Sequence, residues 1–333
     1  MQIEPGYLIF IGDAKDDLAA KTGQGIVDWR PDWVVGQMRF DACRADLGVP
    51  DVGLEEAVAA GAKTLVIGTV SPGGALSSAW VATLLDALKA GMDIASGMHT
   101  RLDSFAEIAE AARRHSRRLF DVRHSVRSFT VGNGVRREGK RLLTVGTDCS
   151  IGKKYTALAI EEELRDRGIA ADFRATGQTG ILIAGQGVAI DAVVADFISG
   201  AAESLSPGND PDHWDVVEGQ GSCFHPSFAG VAVGLLHGTQ PDAFVVCHEP
   251  TRKLMRNVAT PIAKVSDVIE QTIALGRLTN PAIRCVGVAL NTAKLDEQAA
   301  RECISAYAAE FVLPATDPVR YGIAPIVDFL LAQ

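Results

Sequence analysis

The sequence has no excess of positive charge and no long apolar run. Its 333 residues include 32 Lys and Arg against 41 Asp and Glu, a net charge of −9. Without a net positive field a chain does not collect phosphate polyanions, which argues against a dedicated nucleic-acid or anionic-membrane binder. No apolar stretch approaches the ~18–20 residues that a membrane-spanning helix needs. The opening residues also lack the basic region of a signal peptide.

Closely spaced cysteines are missing as well. The six cysteines are far apart, at Cys43, Cys149, Cys223, Cys247, Cys285 and Cys303. No pair has the spacing of zinc ligands, and such scattered thiols are typical of a reducing compartment. We therefore expect a soluble cytoplasmic protein without a metal site, one that acts on small molecules and could form a homo-oligomer.

Short apolar runs alternate with helical patterns along nearly the whole chain. The predicted strands are 8–12, 65–70, 142–146, 172–175, 216–218, 243–247 and 284–290. The predicted helices are 77–90, 104–119, 155–167, 189–205, 266–275 and 296–311. Nearly continuous apolar strands that alternate with helices predict an α/β fold with parallel sheets covered on both faces.

The length suggests two domains, at ~100–200 residues each. The segment 125–140 is polar and rich in glycine and arginine, and a new strand follows it directly. We therefore predict a Rossmann-like N-terminal domain over 1–128, a linker over 129–140 and a P-loop-type C-terminal domain over 141–333.

The strongest motif is Leu-Leu-Thr-Val-Gly-Thr-Asp-Cys-Ser-Ile-Gly-Lys at 142–153. A buried strand, a turn and a helix start in this order are the context of a phosphate-binding loop, in which backbone N–H groups surround an anion. The spacing of the two glycines is one residue longer than usual. The candidate phosphate-binding residues are Gly146, Thr147, Cys149, Ser150, Ile151, Gly152, Lys153 and Lys154.

Lys154 stands where ATP-hydrolysing P-loops carry a Ser or Thr that ligates Mg²⁺. A lysine cannot ligate a cation, but it can neutralise phosphate. The loop therefore favours a pyrophosphate bound without metal-assisted phosphoryl transfer, and coenzyme A carries such a pyrophosphate.

The loop is similar to that of dethiobiotin synthetase, which belongs to the P-loop class that includes MinD. The strand end 216–221 (Val-Val-Glu-Gly-Gln-Gly) and the strand 286–291 (Val-Gly-Val-Ala-Leu-Asn) resemble two further motifs of that class. This leaves two alternatives open: an ATP-dependent ligase or kinase that uses Mg-ATP, or a non-catalytic nucleotide-binding protein.

Nearly the whole chain resembles one bacterial family. The strings Ala-Thr-Gly-Gln-Thr-Gly-Ile at 175–181 and Gly-Val-Ala-Ile-Asp-Ala-Val-Val-Ala-Asp-Phe at 187–197 carry the resemblance together with the loop. The chain looks like a member of the DgcN family of D-glutamate N-acetyltransferases, long catalogued as a domain of unknown function. The resemblance implies transfer of the acetyl group of acetyl-CoA to the amine of D-glutamate.

Acylating an amine calls for a general base, because the ammonium form is not nucleophilic. Glu218 is the first candidate, since it ends a strand and precedes Gly-Gln-Gly; it could instead cap the next turn. Asp148 could equally hydrogen-bond the loop backbone. His225 precedes a proline and could be a turn residue only.

A dicarboxylic substrate calls for cationic or N–H-rich partners. Arg174, Gln178 and Thr179 are the candidates. Arg174 could instead be a surface arginine beside a structural turn. By resemblance to P-loop relatives, Asn291 and Pro314 would hold the adenine of CoA.

Overall fold

The computed structural model describes residues 2–69, 76–124 and 128–332. They form two compact units: Met1–Val126 with Gly177–Ala192, and Arg127–Thr176 with Val193–Gln333. The division differs from the predicted domains at residues 177–192, which belong to the first unit. In the described ranges, no helix is long and apolar enough to cross a membrane.

The described residues contain eleven α-helices, which are distributed over both units. They are α1 (Lys21–Trp29), α2 (Leu54–Ala59), α3 (Ser78–Lys89), α4 (Ala106–Arg114), α5 (Lys153–Asp166), α6 (Gln178–Ala184), α7 (Ile198–Leu205), α8 (Ala229–Thr239), α9 (Val265–Gly276), α10 (Glu297–Phe311) and α11 (Ala324–Leu331).

The first unit is built on a parallel sheet. Its strands are β1 (Tyr7–Gly12), β2 (Val34–Arg39), β3 (Thr64–Ile67), β4 (Asp93–Ser96) and β5 (Leu119–Asp121), in the order β2-β1-β3-β4-β5. Every residue of β1 is buried, as expected for a strand covered on both faces. One side of the sheet packs on α3 and α4 through a core that includes Phe10, Trp80 and Leu84.

Helix α6 completes this unit although it follows the phosphate loop in sequence. It packs against α1, and the carbonyl of Gly185 after it accepts a hydrogen bond of 2.8 Å from the backbone N–H of Ile3. Its residues Ile181, Leu182 and Ile183 are buried. Burial of this apolar turn is what attaches the segment to the first unit.

The second unit carries a six-stranded parallel sheet. Its strands are β6 (Lys140–Gly146), β7 (Ala171–Arg174), β8 (Trp214–Val217), β9 (Ala243–His248), β10 (Arg284–Leu290) and β11 (Ala315–Thr316), in the order β11-β10-β9-β6-β8-β7. Strands β7 and β8 lie on one side of β6 within the sheet, and β9, β10 and β11 lie on its other side. The carboxyl ends of β6 and β9 therefore form the switch point at which open α/β sheets bind ligands.

The predicted α/β class with parallel sheets is confirmed, and strands are present at all seven predicted places; Val70, in the second of these, lies outside the described residues. Strands β2, β4, β5 and β11 were not predicted, because they are either half-exposed or only two to four residues long. The helix predicted over 189–205 is wrong in its first half, where short 3₁₀ turns at Ile190–Ala192 and Ala195–Phe197 precede α7. The helix predicted over 104–119 is shorter in the structure: α4 ends at Arg114, and Leu119 already belongs to β5.

The predicted linker is anchored in the second unit by arginines. Arg137 donates to the carbonyls of Ser206 and Gly238 at 2.8 and 2.7 Å. Arg141 is 1 % exposed and donates to the hydroxyl of Ser206 at 2.9 Å and to backbone carbonyls on two segments. Such a buried guanidinium stabilises the fold only while all its acceptors are in place.

We expect Arg141→Met to lower the free energy of unfolding by about 3 kcal/mol, because several buried carbonyls lose their donor. The matched control is Arg165→Met, whose side chain is 61 % exposed in an i,i+4 pair with Glu161 and should cost at most about 0.5 kcal/mol. Urea denaturation measures both values. Equal losses in the two variants would contradict a structural role for the buried arginine.

Candidate active site

The phosphate loop spans residues 147–152, between the end of β6 and the start of α5. Gly152 has a φ of 113° and Ser150 a φ of 52°, so the loop turns through left-handed conformations before the helix. A side chain at Gly146 would meet Ile151 Cδ1 at 2.6 Å and the Cys247 carbonyl at 2.9 Å. The strand, loop and helix thus follow one another as the motif predicts.

Lys153 lies inside this loop. It is 6 % exposed, and its Nζ donates a hydrogen bond of 2.6 Å to the backbone carbonyl of Asp148. Burial lowers the pKa of the Lys153 ammonium below its ordinary value. A buried ammonium beside a helix N-terminus is the arrangement that a bound phosphate group would stabilise.

Lys154 and the nearby hydroxyl residue Thr156 bear on whether the loop binds Mg²⁺, and both have other contacts. The Nζ of Lys154 lies 4.4 Å from the centroid of the Tyr155 ring. The hydroxyl of Thr156 is 2 % exposed and lies 3.4 Å from the Sγ of Cys247, in the core. In this arrangement the Thr156 hydroxyl faces a thiol rather than the mouth of the loop.

Asp148 is buried, and both of its carboxylate oxygens accept hydrogen bonds. Its Oδ2 accepts from Arg252 Nη1 and from the backbone N–H of Arg256, each at 2.8 Å, and its Oδ1 accepts from the N–H of Cys149 at 2.7 Å. The carboxylate therefore joins the phosphate loop to the β9–α9 loop. The sequence left two roles open for Asp148, a general base or a hydrogen-bond partner of the loop backbone. These contacts favour the second role.

Arg252 and Arg256 were not identified from the sequence. Arg252 also donates to the carbonyls of Cys149 and Ser150 at 2.7 and 3.1 Å, and Arg256 Nη1 lies 2.5 Å from the hydroxyl of Ser150. Arg252 is paired with Asp148 and Glu249, so Arg256 is the residue that brings positive charge to the loop, which favours an anionic ligand. Both arginines lie about a hundred residues downstream, so no local spacing connects them to the motif.

His225 is 1 % exposed, and both of its ring nitrogens are in use. Nδ1 accepts from the backbone N–H of Ser227 at 3.1 Å, so Nε2 carries the proton and donates to the carbonyl of Arg256 at 3.0 Å. One atom each of His225, Asp148 and Cys149 lie within 4.8 Å of one another, but Arg252 already neutralises the carboxylate. His225 therefore orders the β9–α9 loop.

Glu218 follows β8 and is 5 % exposed. Its Oε2 accepts from the backbone N–H of Thr176 at 3.0 Å, which is the capping contact that the sequence left open. The next residue must be glycine, because a Cβ on Gly219 would lie 1.6 Å from the carbonyl of Thr144. The carboxylate is thus held at the carboxyl edge of the sheet, where its charge acts on Lys153.

Two further side chains border the loop. Burial raises the pKa of the Cys149 thiol above its usual value, so this cysteine is not an activated nucleophile. His248, which the sequence analysis missed, ends β9 and places its Nδ1 2.9 Å from the hydroxyl of Thr147. Burial lowers the pKa of His248 to about 4, so its imidazole is neutral at pH 7.

The predicted substrate-binding residues belong to different units. Arg174, in the second unit, is paired with Asp215 at 2.8 Å and with Asp172 at 3.2 Å, so its charge is already compensated. In the first unit, Gln178 Oε1 accepts from Arg123 Nη1 at 3.1 Å.

Gln178 also borders a small cavity of the first unit, beyond the carboxyl ends of β3 and β4. Thr22, Thr69, Gly97 and His99 are among the other lining residues. The Thr69 hydroxyl is buried and has no hydrogen-bond partner within the described part of the chain. Beside it, the hydroxyl of Thr179 lies 3.3 Å from that of Thr22.

The predicted adenine-contacting residues have backbone roles in the second unit. The Oδ1 of Asn291 accepts from the N–H of Ala293 at 3.2 Å, and its own N–H donates to the carbonyl of His248 at 2.8 Å. The carbonyl of Pro314 accepts from the N–H of Val288 at 3.0 Å. These contacts order the ends of β9 and β10.

Comparison with known proteins gives relatives over the full length. Curated D-glutamate N-acetyltransferases from a Pseudoalteromonas species and from Tritonibacter scottomollicae are 47 % and 49 % identical over 98 % and 99 % of this chain, and 99 % of each relative is covered. The crystal structure of a DUF1611 family protein from Anabaena variabilis matches with a TM-score of 0.85 and 31 % identity, over 98 % of this chain and 99 % of that one.

Two family domains match consecutive parts of the chain. Residues 36–125 match the Rossmann-like N-terminal domain of DUF1611, and residues 129–327 match its P-loop domain; both are described as domains of unknown function. The family resemblance inferred from the sequence is thereby confirmed. The chain belongs to the DUF1611 family, with a Rossmann-like domain followed by a P-loop domain.

Proposed function

We propose that this protein is a D-glutamate N-acetyltransferase that uses acetyl-CoA. The observation that carries the proposal is the identity of 47 % and 49 %, over nearly the full length, to two proteins named for that activity. The described cysteines are all free thiols, which supports a reducing, cytoplasmic location.

The phosphate loop is the proposed site for the pyrophosphate of the donor. Backbone N–H groups of residues 147–152 and the N-terminus of α5 would face the phosphates, and the buried Lys153 would lie beside them. Arg256, at the hydroxyl of Ser150, adds a cation at the mouth of the loop. The alternative, an ATP-dependent ligase or kinase, predicts Mg²⁺-dependent ATP binding in the same loop.

In the reaction, the amine nitrogen of D-glutamate attacks the thioester carbonyl. The C–N bond forms, the C–S bond breaks, and CoA leaves as a thiolate that takes up a proton. We assign Glu218 as the base that accepts the ammonium proton, because Asp148 is paired with Arg252 and the acceptor nitrogen of His225 is already in use.

We propose Gln178 and Thr179 as hydrogen-bond donors to a carboxylate of the acceptor. Gln178, Thr22 and Thr69 line the small cavity of the first unit with an amide and two hydroxyls, and the hydroxyl of Thr179 lies 3.3 Å from that of Thr22. Such donors can bind a carboxylate without a free cation. Arg174 is left out, because Asp215 and Asp172 already bind its guanidinium.

Lys153→Met should weaken the affinity for acetyl-CoA at least tenfold, about 1.4 kcal/mol, because the ammonium beside the phosphates is lost while the buried volume is kept. Isothermal titration measures the Kd. The control is Lys89→Met, an exposed lysine of α3 in the first unit, which should bind as the wild type does. Unchanged binding in Lys153→Met would exclude the loop as the donor site.

Glu218→Gln should lower kcat about 100-fold and leave the Kd for acetyl-CoA unchanged, since it removes the proton acceptor and keeps an oxygen for Thr176. The loss should shrink as the pH rises toward the pKa of the substrate amine, because less of the amine then needs deprotonation. Steady-state kinetics between pH 7 and 9.5 measure this ratio. A loss that stays constant with pH would point to a positioning role instead.

Gln178→Glu should raise the KM for D-glutamate at least tenfold, because a carboxylate at this position repels that of the substrate. The KM for acetyl-CoA should be unchanged. Gln178→Leu tests the lost hydrogen bond without the added charge and should have a smaller effect. If both variants keep the wild-type KM, the substrate carboxylate is bound elsewhere.

A further inference from the structure

Another cavity, which lies in the second unit, adjoins the phosphate loop. It has a volume of about 270 Å³ and lies between the end of β9, the start of α9 and the last turns of α10. His248, Pro250, Ile262, Lys264, Tyr307 and Phe311 are among its lining residues. It is large enough for part of a ligand that continues from the loop, and the groups proposed for the reaction lie outside it.

The cavity and the loop share a wall. The imidazole of His248 lies between them, with Nδ1 at 2.9 Å from the Thr147 hydroxyl of the loop. Arg252 also lines the cavity while it donates to the carbonyls of Cys149 and Ser150. A ligand whose phosphates lie in the loop therefore has this cavity as its neighbouring compartment.

His248 brings an unused polar atom to the cavity. The side chain is 6 % exposed, and its Nε2 has no hydrogen-bond partner among residues 2–69, 76–124 and 128–332. A polar ligand in the cavity would supply the missing partner.

The rest of the lining combines an aromatic face with a cation. The ring of Tyr307 lies 5.6 Å from that of His248 and 6.0 Å from that of Phe311, so the aromatic rings form a continuous surface. Lys264 is exposed, and in the described part of the chain its Nζ makes no ion pair or hydrogen bond. It directly precedes α9, whose first residues Val265 and Ser266 also line the cavity.

We propose that this cavity binds the adenosine 3′-phosphate end of the acyl donor, with the base against Tyr307 and the 3′-phosphate at Lys264. Aromatic faces stack on purines, and an ammonium at a helix N-terminus attracts a phosphate. Glu310, on the rim, offers an acceptor for the exocyclic amine of the base. This inference rests on the proposed function, and it moves the base away from Asn291 and Pro314, which do not line the cavity.

The test compares acetyl-CoA with acetyl-3′-dephospho-CoA by isothermal titration. The wild type should bind the dephospho compound about tenfold more weakly. Lys264→Ala should weaken acetyl-CoA binding about tenfold and leave the dephospho compound unaffected, whereas the control Lys89→Ala should change neither. Tyr307→Ala should weaken both compounds equally, and Tyr307→Phe, which keeps the ring, should bind both as the wild type does.

Equal effects of Lys264→Ala on both compounds, or no effect on either, would overturn the placement of the 3′-phosphate. Unchanged binding in Tyr307→Ala would overturn the placement of the base. In both cases the wild type still binds acetyl-CoA, so the proposed function survives. A wild type that binds neither compound would overturn the donor assignment and this inference together. Thermal unfolding of each variant verifies that binding is measured on folded protein.

Discussion

A single buried carboxylate holds the candidate donor site together. Asp148 accepts hydrogen bonds from the Arg252 guanidinium, from the backbone of Arg256 and from the N–H of Cys149. It therefore fixes the turn of the phosphate loop and attaches the long β9–α9 loop to it. The β9–α9 loop also carries wall residues of the adjacent cavity. The shape of the phosphate loop and the arrangement of cations around it therefore both depend on the contacts of Asp148.

The local part of this site could be predicted from the sequence. An apolar strand that runs through glycine into a lysine-bearing helix start specifies the phosphate loop, because strand, turn and helix are encoded by adjacent residues. Glu218 was found in the same way, since it directly follows an apolar run. The two parallel sheets follow from the alternation of apolar strands with amphipathic helices.

The contacts between distant segments could not be predicted. Arg252 and His248 reach the loop only because β9 pairs with β6, and strand order is not written in local spacing. Residues 177–192 join the first unit because an apolar helix turn finds its buried surface there. Arg174 is a residue type that can bind a carboxylate substrate. The register of β7 and β8, however, places Asp172 opposite Asp215, and both carboxylates bind the guanidinium of Arg174.

The central claim is that this P-loop holds a pyrophosphate without Mg²⁺. It rests on Lys154 in place of a metal-ligating hydroxyl and on the contact of Thr156 with Cys247 in the core. The most direct measurement is titration of the wild type with acetyl-CoA in EDTA and, separately, with ATP and Mg²⁺. The account predicts acetyl-CoA binding without metal and no heat from Mg-ATP. Mg²⁺-dependent ATP binding without acetyl-CoA binding would contradict it and favour a ligase or kinase.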